Sequence, residues 1–263
     1  MSSTITLKDL KSIKRALKAL PGRLSEYSAA NLYLFQDVHE YRLEGDFIRG
    51  KTRAGQIFYM PLKIPFNLEM NRVYFPISEE GLPYFNQKQI NRFALDSDDD
   101  YLFEKKVLQE MSGRKLSSRR SLIYRFEEDY DPKIVPLDKK GAIKVLDAWV
   151  EEQPDEGDYK SCLEAIRLLD ELCLYGLSVM SGKKHVGFII AETLRSDTAL
   201  FHFAKALPGL KGVTPFLYRA MATRLPEKIK WINLEQDLGL TGLRRAKQAY
   251  QPTKLLKKFY IQL

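Results

Sequence analysis

Cysteine is nearly missing from this chain: Cys162 and Cys173 are the only two in 263 residues. That is too few for the disulfide framework of a small secreted domain. Histidine is almost as scarce. His39, His185 and His202 are scattered, with no HxxxH pairing and no neighbouring cysteine ligand, so no metal site is expected. No stretch approaches the ~18 consecutive apolar residues of a membrane span. The opening run MSSTITLKDLKSIKRALKAL is too charged for the core of a signal peptide, so a soluble, cytoplasmic protein is expected. A GxSxG nucleophile elbow and a complete GxxxxGK[ST] phosphate loop are both lacking, which argues against a serine hydrolase and a P-loop nucleotidase.

What is present suits a globular protein. Hydrophobic residues make up 44% and charged residues 29% of the chain, and a chain of this size buries roughly 70–75% of its unfolded surface. Basic residues outnumber acidic ones by 42 to 34, a net charge of +8. The excess is +3 over residues 1–130 and +5 over residues 131–263. From Thr241 to Lys258 there are six basic residues (Arg244, Arg245, Lys247, Lys254, Lys257 and Lys258) and no acid. Such a one-sided tract suggests an anionic partner: a phosphate-bearing co-substrate, tRNA or a lipid surface. The run Asp98-Asp99-Asp100 lacks the spaced ligands of a calcium loop and reads as a solvated turn.

Ile5, Leu10, Ile13, Leu17 and Leu20 recur at helical spacing up to Pro21-Gly22, and Ser28 is placed to cap a short helix through Phe35. Strand-like runs follow at Val38–Leu43, Asp46–Gly50 and Gln56–Leu62, and prolines break residues 63–95 into short elements. Residues 101–111 read as helical, and another helix runs from Lys115 through Phe126. Asp131-Pro132 then breaks the chain, and the domain boundary is expected there, giving domains 1–131 and 132–263. Beyond it come helices at 138–152 and 158–173, the latter placing both cysteines on one buried face. Strands at Leu177–Met180, Val186–Thr193 and Thr198–Ala204 follow, then a helix through Leu225, a strand at Lys230–Leu234, a basic helix to about Tyr250 and a strand at Leu255–Ile261. This order gives a mixed α/β layered fold rather than a doubly wound one.

The densest polar cluster is Asn233-Leu234-Glu235-Gln236-Asp237. If extended geometry persists, Asn233, Glu235 and Asp237 face one side. A carboxylate there could take a proton from an amine or hydroxyl nucleophile, and Tyr250 could return one to a leaving group. Gly239 and Gly242 precede the basic helix, on which Arg244 and Lys247 lie three residues apart and could grip phosphate together. Lys211 and Gly212, in the turn Gly209-Leu210-Lys211-Gly212, form a second candidate phosphate cradle. Each of these features also has a plain structural reading, as a turn, a solvated face or a packed tyrosine.

The tail carries a family likeness. Ile232-Asn233-Leu234-Glu235-Gln236-Asp237-Leu238-Gly239, with Gly242-Leu243-Arg244, Lys247, Tyr250 and Pro252, resembles the phosphatidylglycerol lysyltransferase C-terminal-domain family. Phe201-His202-Phe203-Ala204-Lys205, Lys211-Gly212, Ser28–Phe35 and Gly113–Tyr130 are similar to its other blocks. The likeness implies two GNAT-like (acetyltransferase-type) folds in tandem, akin to Fem-type aminoacyltransferases. It also implies transfer of an acyl or aminoacyl group from acyl-CoA or aminoacyl-tRNA, used as co-substrate rather than bound cofactor. The acceptor would be an amine or hydroxyl, a lipid headgroup in the best-known relatives. In that reading Glu235 is the base, Asn233 positions a carbonyl, and Arg244 and Lys247 hold donor phosphate. Ala204 stands where the soluble branch of the family has an acid, which leaves open a non-catalytic binding module on the same scaffold.

Overall fold

The computed structural model describes residues 2–65, 68–85 and 90–262. The chain forms two compact units that interleave along the sequence. The first takes the described residues of Met1–Tyr101, Glu235–Thr241 and Leu255–Leu263; the second takes Leu102–Leu234 and Gly242–Lys254. The boundary expected at residue 131 therefore falls inside the second unit. The sequence pattern marked a local break there, whereas the units are defined by contacts between distant segments.

The first unit is built on a mixed sheet of β1 (Ser2–Thr4), β2 (Arg42–Glu44), β3 (Phe47–Lys51), β4 (Ile57–Pro61), β5 (Val73–Ser78) and β6 (Asn91–Ala94), completed by the chain's last strand, β14 (Lys258–Gln262). The spatial order is β1-β2-β3-β4-β5-β14-β6, so β14 lies between β5 and β6, antiparallel to both. Its Ile261 joins Tyr74, Ile77 and Phe85 in the core, with Phe47 and Tyr59 packed against them. Helix α1 (Leu10–Ala19) buries Leu10, Ile13 and Leu17, the residues whose spacing predicted it. Ser28 caps α2 (Ala29–Leu34) as expected: its side chain accepts a hydrogen bond from the Asn31 amide at 2.9 Å. Of the short elements expected over 63–95, residues 66–67 and 86–89 lie outside those described.

The second unit's elements, apart from the first residues of β7 and α8 and the last two of β13, which fall in the first unit, are β7 (Asp100–Glu104), α3 (Lys105–Glu110), α4 (Ser117–Tyr130), β8 (Lys133–Pro136), α5 (Lys139–Val150), α6 (Tyr159–Arg167), β9 (Tyr175–Ser181), β10 (Lys184–Arg195), β11 (Thr198–Ala206), α7 (Val213–Arg224), β12 (Trp231–Asn233), α8 (Thr241–Gln248) and β13 (Lys254–Leu256). Its sheet runs β13-β7-β12-β11-β10-β9-β8, with β11 and β12 parallel. The helix expected over 101–111 is thus a strand followed by one short helix. Tyr101, Leu102 and Phe103 are all buried, which suits a central strand, and β7 pairs with β12 from Leu102 to Glu104. The helix expected over 158–173 ends at Arg167. Cys162 is buried as expected, but Cys173 lies beyond the helix with φ +54° and is exposed.

Gly212 fixes how α4 and α7 meet. Its φ is +91°, and a Cβ there would fall 2.3 Å from the Leu122 carbonyl oxygen and 2.9 Å from the Phe126 Cβ. Only glycine permits both that conformation and that approach.

Candidate active site

In the second unit β11 and β12 pair only from Thr198↔Trp231 to Leu200↔Asn233. β11 then continues to Ala206 against β10, while β12 ends at Asn233. The two strands therefore part beyond Leu200, and His202 and Phe203 make other contacts. Strands that part in this way can admit an extended ligand beside them. β11 leads into the Pro208–Gly212 turn and the N-terminus of α7, with Lys211 exposed on the turn. A helix N-terminus at the end of such a strand suits a donor with an anionic group.

The side chains around this strand differ from the sequence reading. His202 and Glu192 form a buried pair, with Nε2 and Oε1 3.0 Å apart. The register sets Glu192 opposite Leu200, and His202 sits at an irregularity where Ala191 pairs with Phe201 and Ile190 with Phe203, which no local sequence pattern marks. Lys205 is engaged with Asp158 at 2.6 and 2.9 Å, and its ammonium sits 3.5 Å from the Trp149 ring centroid. Burial pushes the Tyr175 hydroxyl up to about 12. A separate cavity of about 470 Å³ lies among Glu127, Asp131, Ile134, Phe216, Arg219 and Thr223, and its Arg219 is ion-paired with Glu127.

The predicted site residues divide between the two units. Asn233 is fully buried at the end of β12. Lys247 is buried too, and its ammonium donates to the Leu234 carbonyl at 2.6 Å. The expected shared phosphate grip with Arg244 is therefore not formed: Lys247 holds the end of β12, and Arg244 stays half-buried on α8. Tyr250 is a packed residue. Its ring lies 5.2 Å from Tyr218 and beneath the Arg119 guanidinium at 5.1 Å, and burial drives its pKa well above the usual tyrosine range. Gly242 has open space around it, and Gly212 is accounted for by α4 packing.

Glu235, Asp237 and Gly239 belong to the first unit. The extended geometry that would align Asn233, Glu235 and Asp237 stops at Asn233, because Glu235 is left-handed at φ +59°. Glu235 is half-buried, and its Oε1 accepts from Asn31 Nδ2 at 3.2 Å. Asp237 is fully buried and organises the turn, accepting from the Tyr101 hydroxyl at 2.7 Å and the Gly239 amide at 2.8 Å. Gly239 completes that turn at φ +74°.

A charged cluster absent from the sequence reading lies in the same unit. Fully buried Lys258 reaches Glu26 and Asp100 at 2.7 Å each, Ser25 Oγ at 3.1 Å, and Gln236. Asp100 also accepts from the Ser25 amide at 2.6 Å. The solvated turn expected at Asp98–Asp100 is thus corrected: Asp99 and Asp100 are buried, and Asp98 accepts from the Tyr260 hydroxyl at 2.7 Å. Burial, partly offset by Lys258, raises the Glu26 carboxyl to about 7. Burial pulls the Lys258 ammonium down, but Asp100 and Glu26 more than reverse this, so it lies above the ordinary lysine range.

The fold recurs in solved structures. A conserved protein of unknown function from Bacteroides thetaiotaomicron VPI-5482 is 24% identical, with a TM-score of 0.84 over 100% of this chain and 99% of that one. The L-PGS structure from Bacillus licheniformis is 14% identical, with a TM-score of 0.64 over 96% and 91% of the two chains. FemX is 7% identical, with a TM-score of 0.57 over 100% and 97%. The mixed α/β architecture expected from the sequence is present, and the chain shares its fold with these structures. No curated protein matches the sequence. Among the described residues no helix is long and apolar enough to cross a membrane. Residues 67–262 match the family described as "Phosphatidylglycerol lysyltransferase, C-terminal", and the chain belongs to that family.

Proposed function

We propose that the protein transfers an aminoacyl group from aminoacyl-tRNA to an amine or hydroxyl acceptor. The observation that carries the reading is the parting of β11 from β12 beyond Leu200↔Asn233, with β11 running on through the Pro208–Gly212 turn to the N-terminus of α7. Family membership supports acyl-group transfer as the reaction class. In this reading the donor's extended end lies beside β11, and Lys211 with the first amides of α7 meets its terminal phosphate. Asn233, where the strands part, positions the carbonyl. Glu235 is assigned the role of base. The acceptor's lone pair attacks the ester carbonyl, a new C–N or C–O bond forms, and the ester C–O bond breaks. The acceptor's proton passes to Glu235 and returns to the ribose hydroxyl that leaves. Holding the two reactants together supplies much of the rate.

The test is transfer of radiolabelled amino acid from charged tRNA, with small amines and phosphatidylglycerol vesicles offered as acceptors. A parallel reaction offers acetyl-CoA as donor. Label leaving tRNA only in the presence of protein and acceptor is expected, and Glu235→Ala should slow it by about 10²-fold or more. Consumption of acetyl-CoA without use of charged tRNA would overturn the donor assignment. Inertness towards both would favour the binding-module reading, which Ala204 in β11 supports.

A further inference from the structure

The net charge of +8 has a second source besides the basic tail. Residues 1–23 carry six basic residues against Asp9, the single acid. On α1 the cations Lys11, Lys14, Arg15 and Lys18 fall within an arc of roughly 100° at 3.6 residues per turn, spanning about 10 Å of helix axis. All four are exposed, as is Lys8 just before the helix. The opposite face, Leu10, Ile13, Leu17 and then Leu20, is buried in the first unit. No ion pair engages Lys8, Lys11, Lys14, Arg15 or Lys18 among the described residues. Asp9 forms no ion pair with the stripe: its carboxylate accepts from the Thr6 hydroxyl at 2.6 Å and the Thr6 amide at 2.8 Å instead.

We infer that this outer face of α1 docks the phosphate backbone of an RNA, the donor tRNA under the function proposed above, on which the inference rests. The occupant follows from what the face offers and what it lacks. Four rigidly spaced cations suit a line of phosphates, because each neutralised phosphate releases counterions. The exposed stripe carries no aromatic side chain on which an unpaired base could stack, so the contact is with backbone rather than bases. A membrane fits less well. An interfacial helix sinks its apolar face between lipids, and the apolar face of α1 is already spent on its own core.

The experiment measures binding of deacylated tRNA to the whole protein and to Lys11→Gln/Lys14→Gln/Arg15→Gln/Lys18→Gln over a series of salt concentrations. All four positions are exposed, and glutamine keeps a good helix propensity. Unchanged circular dichroism and melting, with Lys11→Gln/Lys18→Gln as a milder second variant, separate a binding effect from misfolding. The quadruple variant should bind about tenfold more weakly or worse at low salt. The slope of log affinity against log salt should flatten by roughly 3, since each phosphate that is no longer neutralised removes about 0.7–0.9 from it. Wild-type binding that the variant reproduces in strength and slope overturns the α1 assignment and leaves the tRNA donor standing. No tRNA binding by the wild type overturns both. Loss of binding to phosphatidylglycerol vesicles with tRNA binding intact assigns the face to a membrane and also overturns the inference.

Discussion

A lysine ammonium with no exposed surface is tolerated only when its protons are met, since the bare charge would cost several kcal/mol to bury. Lys258 satisfies this with Glu26, Asp100, Ser25 and Gln236, groups drawn from three other stretches of the first unit. Lys258→Met leaves two buried carboxyls without their cation and is expected to cost about 3–5 kcal/mol, read as a fall in the urea midpoint. Adding Glu26→Gln to that variant should recover part of the loss. Glu26 also gives the cluster a pH dependence whose sign is fixed. Its carboxyl is raised from 4.5 to about 7 in the folded chain, so the folded state binds the extra proton. The stability it contributes is complete below about 4.5 and is lost as pH rises through about 7. Glutamine mimics the protonated form. Glu26→Gln should therefore gain stability relative to the wild type between pH 5 and pH 8, and a constant difference across that range would refute the assignment.

At the scale of elements, α1, α2 and most strands of the second unit were legible because their cause is local: apolar spacing, a serine cap, turn residues. What was not legible depends on partners far along the chain. Asp98-Asp99-Asp100 reads as a solvated turn until Lys258 arrives beside it on β14. Alternation along β12 predicts Glu235 on the face of Asn233, but Glu235 leaves the strand with φ +59° and no local signal marks the change. The cationic stripe of α1 was hidden by averaging over a half of the chain that also holds 18 acids. Two substitutions test the element-level account. Gly212→Ala forces a Cβ onto the Leu122 carbonyl of α4 at a left-handed position, and a loss of about 2 kcal/mol or more is expected. Asp237→Ala removes the acceptor of both Tyr101 and the Gly239 amide. A loss of about 1–3 kcal/mol is expected, and it should be largely shared with Tyr101→Phe in a double-mutant cycle if the pair acts as one unit.

At the scale of the whole molecule, the interleaving of segments decides what can fold alone. β14 is the strand between β5 and β6 in the first sheet, and β7 is the strand between β13 and β12 in the second. Each lies on the far side of residue 131 from the larger part of its sheet. A fragment of residues 1–131 would keep β5 and β6 but lose the strand that joins them, together with Lys258, leaving Glu26 and Asp100 with no cation. A fragment of residues 132–263 would keep β12 and β13 but lose β7 between them, uncovering the buried Ile232 and Asn233 of β12 and leaving β13 without its neighbour. Neither fragment is therefore expected to give a cooperative unfolding transition by circular dichroism or native-like protection of amides from exchange. The same two fragments mixed during refolding hold every strand of both sheets, and recovery of a cooperative transition only in the mixture is the expected outcome. A cooperative transition in either fragment alone would mean that the exchanged strands are dispensable, and that the local break at Asp131-Pro132 is a true domain boundary after all.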